Sequence, residues 1–395
     1  MSKRIFVFSL CLLLLCGLIG CGKGMKKTSE VGQPKISGWA KEVGLYEDET
    51  PEQLYEKAKK EEGKVVIYSV SSRMKKVKES FEKQYPGIVV EAYDISNNEL
   101  LEKITREYDA GIRTADVVHI KDQDGSLYIE FVQNGIFHNY QPSDITKHID
   151  PFYCQKTMPF YLDQTAWYYN DETYPNGPPI SSWWDLTKPE WKGKILMANP
   201  LDNLTYLAVI TGLVLDSQAL ADDYKRIFHE EITLHGTKNA GYELLKRLVE
   251  NDIIFMSSGS ELVEAVGTRG QTNPPLAYAS SVKMRERKSK NFAIQTVSQI
   301  TPHTGIPGLN ALYVVNEAPH PAGAKLLIRW LMGEADGKGP GFKPFNTIGG
   351  WPVRDDVEAV DPTPLSEINV QKIDRSEIYN AIREVSDFWL SIQQK

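Results

Sequence analysis

Between residues 64 and 333, strand-type and helix-type segments take turns, and this alternation restricts the fold more than any other property of the chain. "KVVIYSV" (64–70) is a continuous apolar run of strand type, and "SRMKKVKESFEKQYPG" follows with Met74, Val77 and Phe81 at helical spacing. "IVVEAYDI" is a strand, "NNELLEKITREYDAG" a helix with Leu100, Leu101 and Ile104 inward, "ADVVHI" a strand and "GSLYIEFVQNG" a helix. The same grammar resumes with strand "GKILMANP", helices "DNLTYLAVITGLVL" and "AGYELLKRLVEND", and strand "IIFM". Strands "PLAYASS", "FAIQTVS" and "GLNALYVVNEAP" and helix "HPAGAKLLIRWLMG" complete it. Alternating units with buried strands predict an α/β protein with two lobes, each a mainly parallel sheet flanked by helices. Ligands of such sheets bind at the loops beyond the strand C-termini. No internal period indicates a solenoid.

The N-terminus carries a different signal. Lys3 and Arg4 precede "IFVFSLCLLLLCGLIG", an apolar run with the grammar of an export signal and too short for a confident membrane span. It ends Leu18-Ile19-Gly20-Cys21, which resembles a bacterial lipobox: a thiol to carry the lipid, with a small residue before the cut. The alternative is a plain secretory signal with an incidental cysteine. Residues 1–20 are therefore expected to leave as a lipoprotein signal peptide, with Cys21 lipidated. Cys11 and Cys16 depart with the signal, so Cys154 alone remains and no intrachain disulfide can form. A lone cysteine is more often a small buried hydrophobe than a nucleophile. Residues 21–50 are polar and read as a tether. Thr50, Pro51 and Gln53 then form an N-cap, a first-turn proline and a capping-box partner, and Gly63 is a plausible stop.

Charge and motifs exclude several function classes. The net charge is −7, and losing Lys3 and Arg4 with the signal makes it −9. An acidic chain without a basic stripe is a poor nucleic-acid partner; "KMRERKSK" (283–290) mixes signs and reads as a solvated helix face or loop. No nucleophile elbow is present. In "HEEITLH", His229 and His235 stand six residues apart and do not share a helix face, so the pair reads as a solvated turn rather than a zinc site. "GEADGKG" (333–339) is a residue short of a phosphate loop and reads as a loop. Trp167, Tyr168, Tyr169, Trp183, Trp184 and Trp191 fit a sugar-binding face or, more simply, core packing. No catalytic residue, metal or cofactor is expected.

What remains is a set of strand-to-helix turns: "YSVSSR" (68–73), "IKDQDG" (120–125), "ANPLDN" (198–203) and "MSSGSE" (256–261). Each opens a helix whose first N–H groups are unpaired and carry partial positive charge. Any single one is an ordinary cap. Four of them, from two lobes, predict a ligand cleft.

At these turns and in "LYEKAKKEEGKVVIYS", "ADVVHI", "SWWDLTKPEWKGKILMANP", "GLNALYVVNEAPHPAGAKLLIRWL" and "GGWPVRDDV", the chain resembles the extracellular solute-binding lipoproteins of bacterial ABC importers, in the ferric-iron-binding branch. That branch also includes binders of phosphonates and sugar phosphates. The resemblance implies a type II periplasmic-binding fold, two lobes hinged by crossover strands near 164–169 and 305–313. Lobe one would be discontinuous: 51–165, then 305–395 as its return and C-terminal helices, with lobe two at 166–304. True ferric binders carry paired tyrosines in the turn that here reads Ser257-Ser258-Gly259-Ser260. Their first-loop histidine falls near Ser72 and their acidic ligand near Lys121, so the iron site is not carried over. Expected solute contacts are Ser71, Ser72, Asp122, Gln123, Tyr168, Asn203, Ser257, Ser258, Gly259, Ser260 and Tyr278. Asp202, Asp122 and Asp163 put negative charge near the same place, leaving open a cation or a solute with both signs. The expected protein is thus a monomeric, lipid-anchored, extracytoplasmic receptor that hands a small polar or charged solute to an ABC permease. A ferric-chelate binder, an envelope enzyme and a sensory receptor on the same fold are the rivals.

Overall fold

The structure is a computed structural model and describes residues 35–394. The expected signal peptide, Cys21 and the first part of the expected tether lie outside the described residues. The tether ends earlier than the sequence indicates. Gly38–Glu42 is a short helix capped by Ser37, and Ala40 and Leu45 are fully buried. The segment is held by Lys325, whose ammonium donates to Gly44 O (3.0 Å), Glu47 O (2.8 Å) and Glu49 Oε2 (2.6 Å). The next helix, Pro51–Ala58, has the expected capping box between Thr50 and Gln53. Gly63 follows in the left-handed region at φ 61°.

Twelve strands form two sheets among the described residues: β1 Lys64–Ser69, β2 Val89–Asp94, β3 Val117–Asp122, β4 Phe137–His138, β5 Met158–Asp163, β6 Thr165–Tyr169, β7 Ile195–Met197, β8 Ile254–Phe255, β9 Leu276–Ser280, β10 Gln295–Thr296, β11 Gly308–Val315 and β12 Gly350–Pro352. The first sheet runs β12-β5-β11-β3-β1-β2, with β4 paired to β11. Here β1, β2 and β3 are parallel, while β11 is antiparallel to both of its neighbours. The second sheet runs β10-β6-β9-β7-β8, with β7, β8 and β9 parallel and β6 antiparallel to β9. The sheets are thus mixed: β1, β2 and β3 in the first and β7, β8 and β9 in the second are parallel, and the edge strands β12 and β10 pair antiparallel with β5 and β6.

Each sheet has its own cores. Ile67, Val117, Phe160, Leu312 and Leu327 belong to one on the first sheet, and Trp167, Trp183, Trp184, Leu213 and Leu276 to one on the second. The aromatic groups therefore serve packing: Trp183 and Trp184 are 1% and 0% exposed, and their indole N–H groups donate to His303 O and Leu220 O. Cys154 packs against the first core, and burial pushes its thiol up to about 11, far from nucleophilic.

The chain passes between sheets at Gln164 and again at 304–308. Gln164 N donates to Ser281 Oγ (3.1 Å), Ser281 Oγ to Gly349 O (2.6 Å), and Thr304 Oγ1 to Gln164 Oε1 (3.1 Å). Two glycines permit this close approach. A Cβ on Gly308 would lie 2.2 Å from Asp163 Oδ1, and one on Gly349, at φ +79°, would lie 2.2 Å from Ser281 O. The C-terminal helix, Arg375–Gln393, belongs by packing to the second sheet and not to the first. Val385, Trp389 and Ile392 share a core with Ile210, Val214, Tyr242 and Leu245. Its apolar face seals the helices Leu204–Leu215 and Ala240–Glu250, which no other apolar element covers in that core.

Candidate functional site

The crossovers fix which strand ends face each other. β5 ends at the crossover, and β3 runs parallel to it because both are antiparallel to β11. The C-terminal ends of β1, β2 and β3 therefore point to the lobe junction. β6 begins there, so β9, β7 and β8, which run opposite to β6, also end there. One hydrogen bond shows that the two rims meet: Gln123, after β3, donates to Thr205 Oγ1, after β7, at 2.9 Å. One strand further out on each side lie the turns after β1 and β8, "VSSR" and "MSSGS".

On the first rim, Ser71 is half-buried and Ser72 exposed, at the start of the helix Met74–Gln84. That helix has no side-chain cap. The residue at its N-cap is Arg73, whose guanidinium has no carboxylate partner among the described residues. It lies close enough to His119 and Tyr161 to act on both; burial first, then Arg73, pushes His119 down to about 3. Beside it Lys121 pairs with Asp163 at 2.6 Å, and Asn310 donates to the other Asp163 oxygen at 3.4 Å. Asn97 brackets the backbone of Lys121 through both its amide atoms. The floor thus holds a neutralised ion pair and one unpaired cation.

On the second rim, Asn203 caps the helix Leu204–Leu215 by accepting from Thr205 N at 3.1 Å. Ser258 caps Gly259–Gly267 by accepting from Glu261 N. Gly259 is the first helical residue, and Ser257 is exposed. Ser260 is committed elsewhere: its hydroxyl donates to Glu286 at 3.0 Å and accepts from Lys283 at 2.6 Å. The hydroxyls of Ser257 and Ser258 and the first N–H groups of that helix form the donor set, with the exposed carboxylate of Glu261 as the acidic group of its first turn.

Three expected contacts sit elsewhere. Tyr168 is 0% exposed, with its hydroxyl donating to Ser280 O (2.9 Å) and lying 3.1 Å from Ser281 O. Tyr278 is 1% exposed and donates to Thr304 O at 2.6 Å. Both are hinge-packing residues, because a bulky ring at the β6–β9 junction is enclosed by the returning chain. Asp122 shares the face of β3 with Ile120, opposite Lys121, and accepts from Gly125 N at 3.0 Å within its own turn. Burial pushes its carboxyl up to about 6, with Arg375 pulling against that. Sequence reasoning missed Arg73, Asn97 and Thr205. Arg73 was visible as the one charged residue in "YSVSSR"; the Asn97 and Thr205 contacts are tertiary and leave no local signal. In "HEEITLH", His229 is a left-handed cap at φ 60°, and His235 pairs with Glu243 at 2.8 Å. Among the described residues one further group, His148, Asp355 and Asp356, gathers potential metal ligands, and it lies on exposed loops away from this junction.

The fold is two-lobed, and the strand-end turns of both lobes meet at the lobe junction. Residues 67–338 match the family model described as bacterial extracellular solute-binding protein. The fold is similar to that of iron-bound HitA from Pseudomonas aeruginosa (TM-score 0.62, 14% identity, 83% of this chain and 99% of that one). It is also similar to AfuA from Actinobacillus pleuropneumoniae with fructose-6-phosphate bound (TM-score 0.60, 16% identity, 84% and 98%). A third similar structure is Trichodesmium IdiA (FutA) with iron and citrate (TM-score 0.63, 18% identity, 84% and 100%). A search of curated proteins finds no match. The chain belongs to the bacterial extracellular solute-binding family, as an extracytoplasmic solute-binding receptor of an ABC importer.

Proposed function

We propose that the protein is a lipoprotein, anchored through Cys21, that captures a small organic anion and passes it to the permease. A phosphate, phosphonate or carboxylate group would sit between Arg73, Ser71 and Ser72 on one rim and Ser257, Ser258 and Gly259 on the other. Gln123 and Asn203 would flank it. The observation that carries this reading is Arg73, an unpaired guanidinium at a helix start without a side-chain cap. Guanidinium and backbone N–H groups are the usual partners of oxyanions. Asp163 does not oppose the reading, because Lys121 neutralises it.

Bare Fe(III) is disfavoured on chemistry. Ferric ion takes hard anionic oxygen ligands, and the turn after β8 offers hydroxyls and N–H donors. Tyr168, Tyr206 and Tyr278 of this lobe are committed to packing and to backbone acceptors. Burial holds Tyr168 and Tyr278 well above the ordinary phenol value, and Tyr206 donates to Tyr278 O at 2.7 Å.

Thermal shift tests this with phosphonates, sugar phosphates, dicarboxylates, citrate and Fe(III)-citrate. A solute at about 100 times its dissociation constant adds roughly 2.7 kcal/mol and moves the midpoint by degrees. An organic anion is expected to give the shift, and Arg73→Ala to weaken it about 10- to 100-fold, the scale of a charge-assisted hydrogen bond. A shift with Fe(III)-citrate that citrate alone does not give would overturn the anion reading.

A further inference from the structure

The C-terminal helix touches both lobes, and it is fastened to them by opposite kinds of chemistry. Its last three turns are buried in the second lobe. Trp389 is 0% exposed and donates to Asn199 Oδ1 at 3.2 Å, in the turn after β7. Phe255 of β8 meets the Trp389 ring edge-on at 6.3 Å. Its first turns are held to the first lobe by polar bonds, those of Asp374 and Tyr379 exposed and those of Arg375 and Ser376 largely buried. Lys156 Nζ bonds both oxygens of Asp374, the helix cap, and donates to Ser376 Oγ at 2.6 Å. Tyr379 donates to Glu130 Oε1 at 2.8 Å. Arg375 bonds Pro307 O on the returning crossover and lies 4.0 Å from Asp122, next to Gln123 and its bond to Thr205.

We infer that this helix is a strap that sets how far the two lobes separate. It moves with the second lobe, to which apolar burial commits it, and it releases at the first lobe, where the bonds are polar and exchangeable with water. Apolar packing has no water-satisfied alternative, whereas exposed ion pairs are individually weak and are screened by salt. The strap adds a second attachment 19 residues long, about 28 Å at helical rise. The lobe-one end of the strap adjoins the β3 turn, so a solute that draws this turn toward the second lobe works against or with the same bonds.

The test is a distance measurement that needs no solute. Spin labels go on the full chain in detergent, at exposed Lys75 in the first lobe and Glu261 in the second, in a Cys154→Ser background. The chain as it stands should give one narrow label–label distribution. Lys156→Ala should broaden it and move its mean by several ångström. Tyr379→Phe, which removes one oxygen and carries no folding risk, should move it the same way by less, and the double variant by more. Raising salt to 1 M should reproduce part of the Lys156→Ala change in the unsubstituted strap and none of it in Lys156→Ala. Distributions unchanged in both single variants would overturn the inference, since the hinge would then set the separation by itself. Because no ligand enters the experiment, its outcome does not depend on the organic-anion reading.

Discussion

His320 and Asp116 show how much one buried carboxylate can organise. Asp116 is 0% exposed and accepts from Val66 N (2.7 Å), His320 N (2.8 Å) and His320 Nδ1 (2.8 Å). It ties β1 to His320 at the start of the helix Pro321–Leu331, whose first-turn N–H groups, those of Ala322 and Gly323, donate to Glu61. The Asp116 bond raises the His320 pKa above its ordinary value, with burial opposing it. A histidine whose folded value is raised stabilises the fold fully below its unfolded value, near 6.5, and loses that contribution as pH climbs through the folded value. His320→Gln is therefore expected to cost about 1–3 kcal/mol at pH 5.5 and clearly less at pH 8.5. Paired thermal melts at the two pH values measure this, and an equal cost at both would show that the imidazole is not charged in the fold.

Lys325 does for an element what Asp116 does for a strand end. Its side chain is 2% exposed, and burial pulls its pKa down while Glu49 pulls it up. Replacing it with Met would leave the carbonyls of Gly44 and Glu47 without their donor, while Glu49 keeps Lys57 at 2.5 Å. Lys325→Met is expected to cost about 2–3 kcal/mol and to speed cleavage by a Glu-specific protease at Glu42 and Glu47. Unchanged cleavage would mean that Ala40 and Leu45 hold the segment alone. This segment was read as a tether because polar residues dominate it; two apolar side chains and a lysine 276 residues away decide otherwise. The regular elements were legible where period and caps agree. The helix Met74–Gln84 and the strands β1 and β3 fall where the apolar spacing puts them. "GSLYIEFVQNG" forms a π-helical turn at Leu127–Val132, and β5 is not legible as a strand, because aromatic runs lack a distinguishing period; β6 is expected only as the crossover that the resemblance implies. In the site, turn residues were legible from strand ends. Tyr168 and Tyr278 were not, since exposure at a strand end depends on what the returning chain covers.

At the scale of the whole molecule, two lobes with separate cores are coupled through crossovers and one helix. Trp389→Ala removes the largest side chain that the strap buries in the second lobe, at a cost of about 3–5 kcal/mol borne by that lobe alone. Calorimetry of the unsubstituted protein should give one transition. Trp389→Ala should split it, with the lower peak belonging to the second lobe; a single peak shifted downward would show that the lobes cannot melt apart.

The position of β11 bears on how the protein is made. It is an inner strand of the first sheet, between β5 and β3, yet it follows every strand of the second lobe in the chain. Until residues 308–315 have emerged, β3 and β5 each present an open edge, the usual starting point for wrong pairing between chains. The second lobe, contiguous from β6 to β10, can assemble first, but it too waits for the final helix to close its surface. A chain delivered from its N-terminus thus completes neither half until β11 and then the helix Arg375–Gln393 have followed the strands and helices that they close.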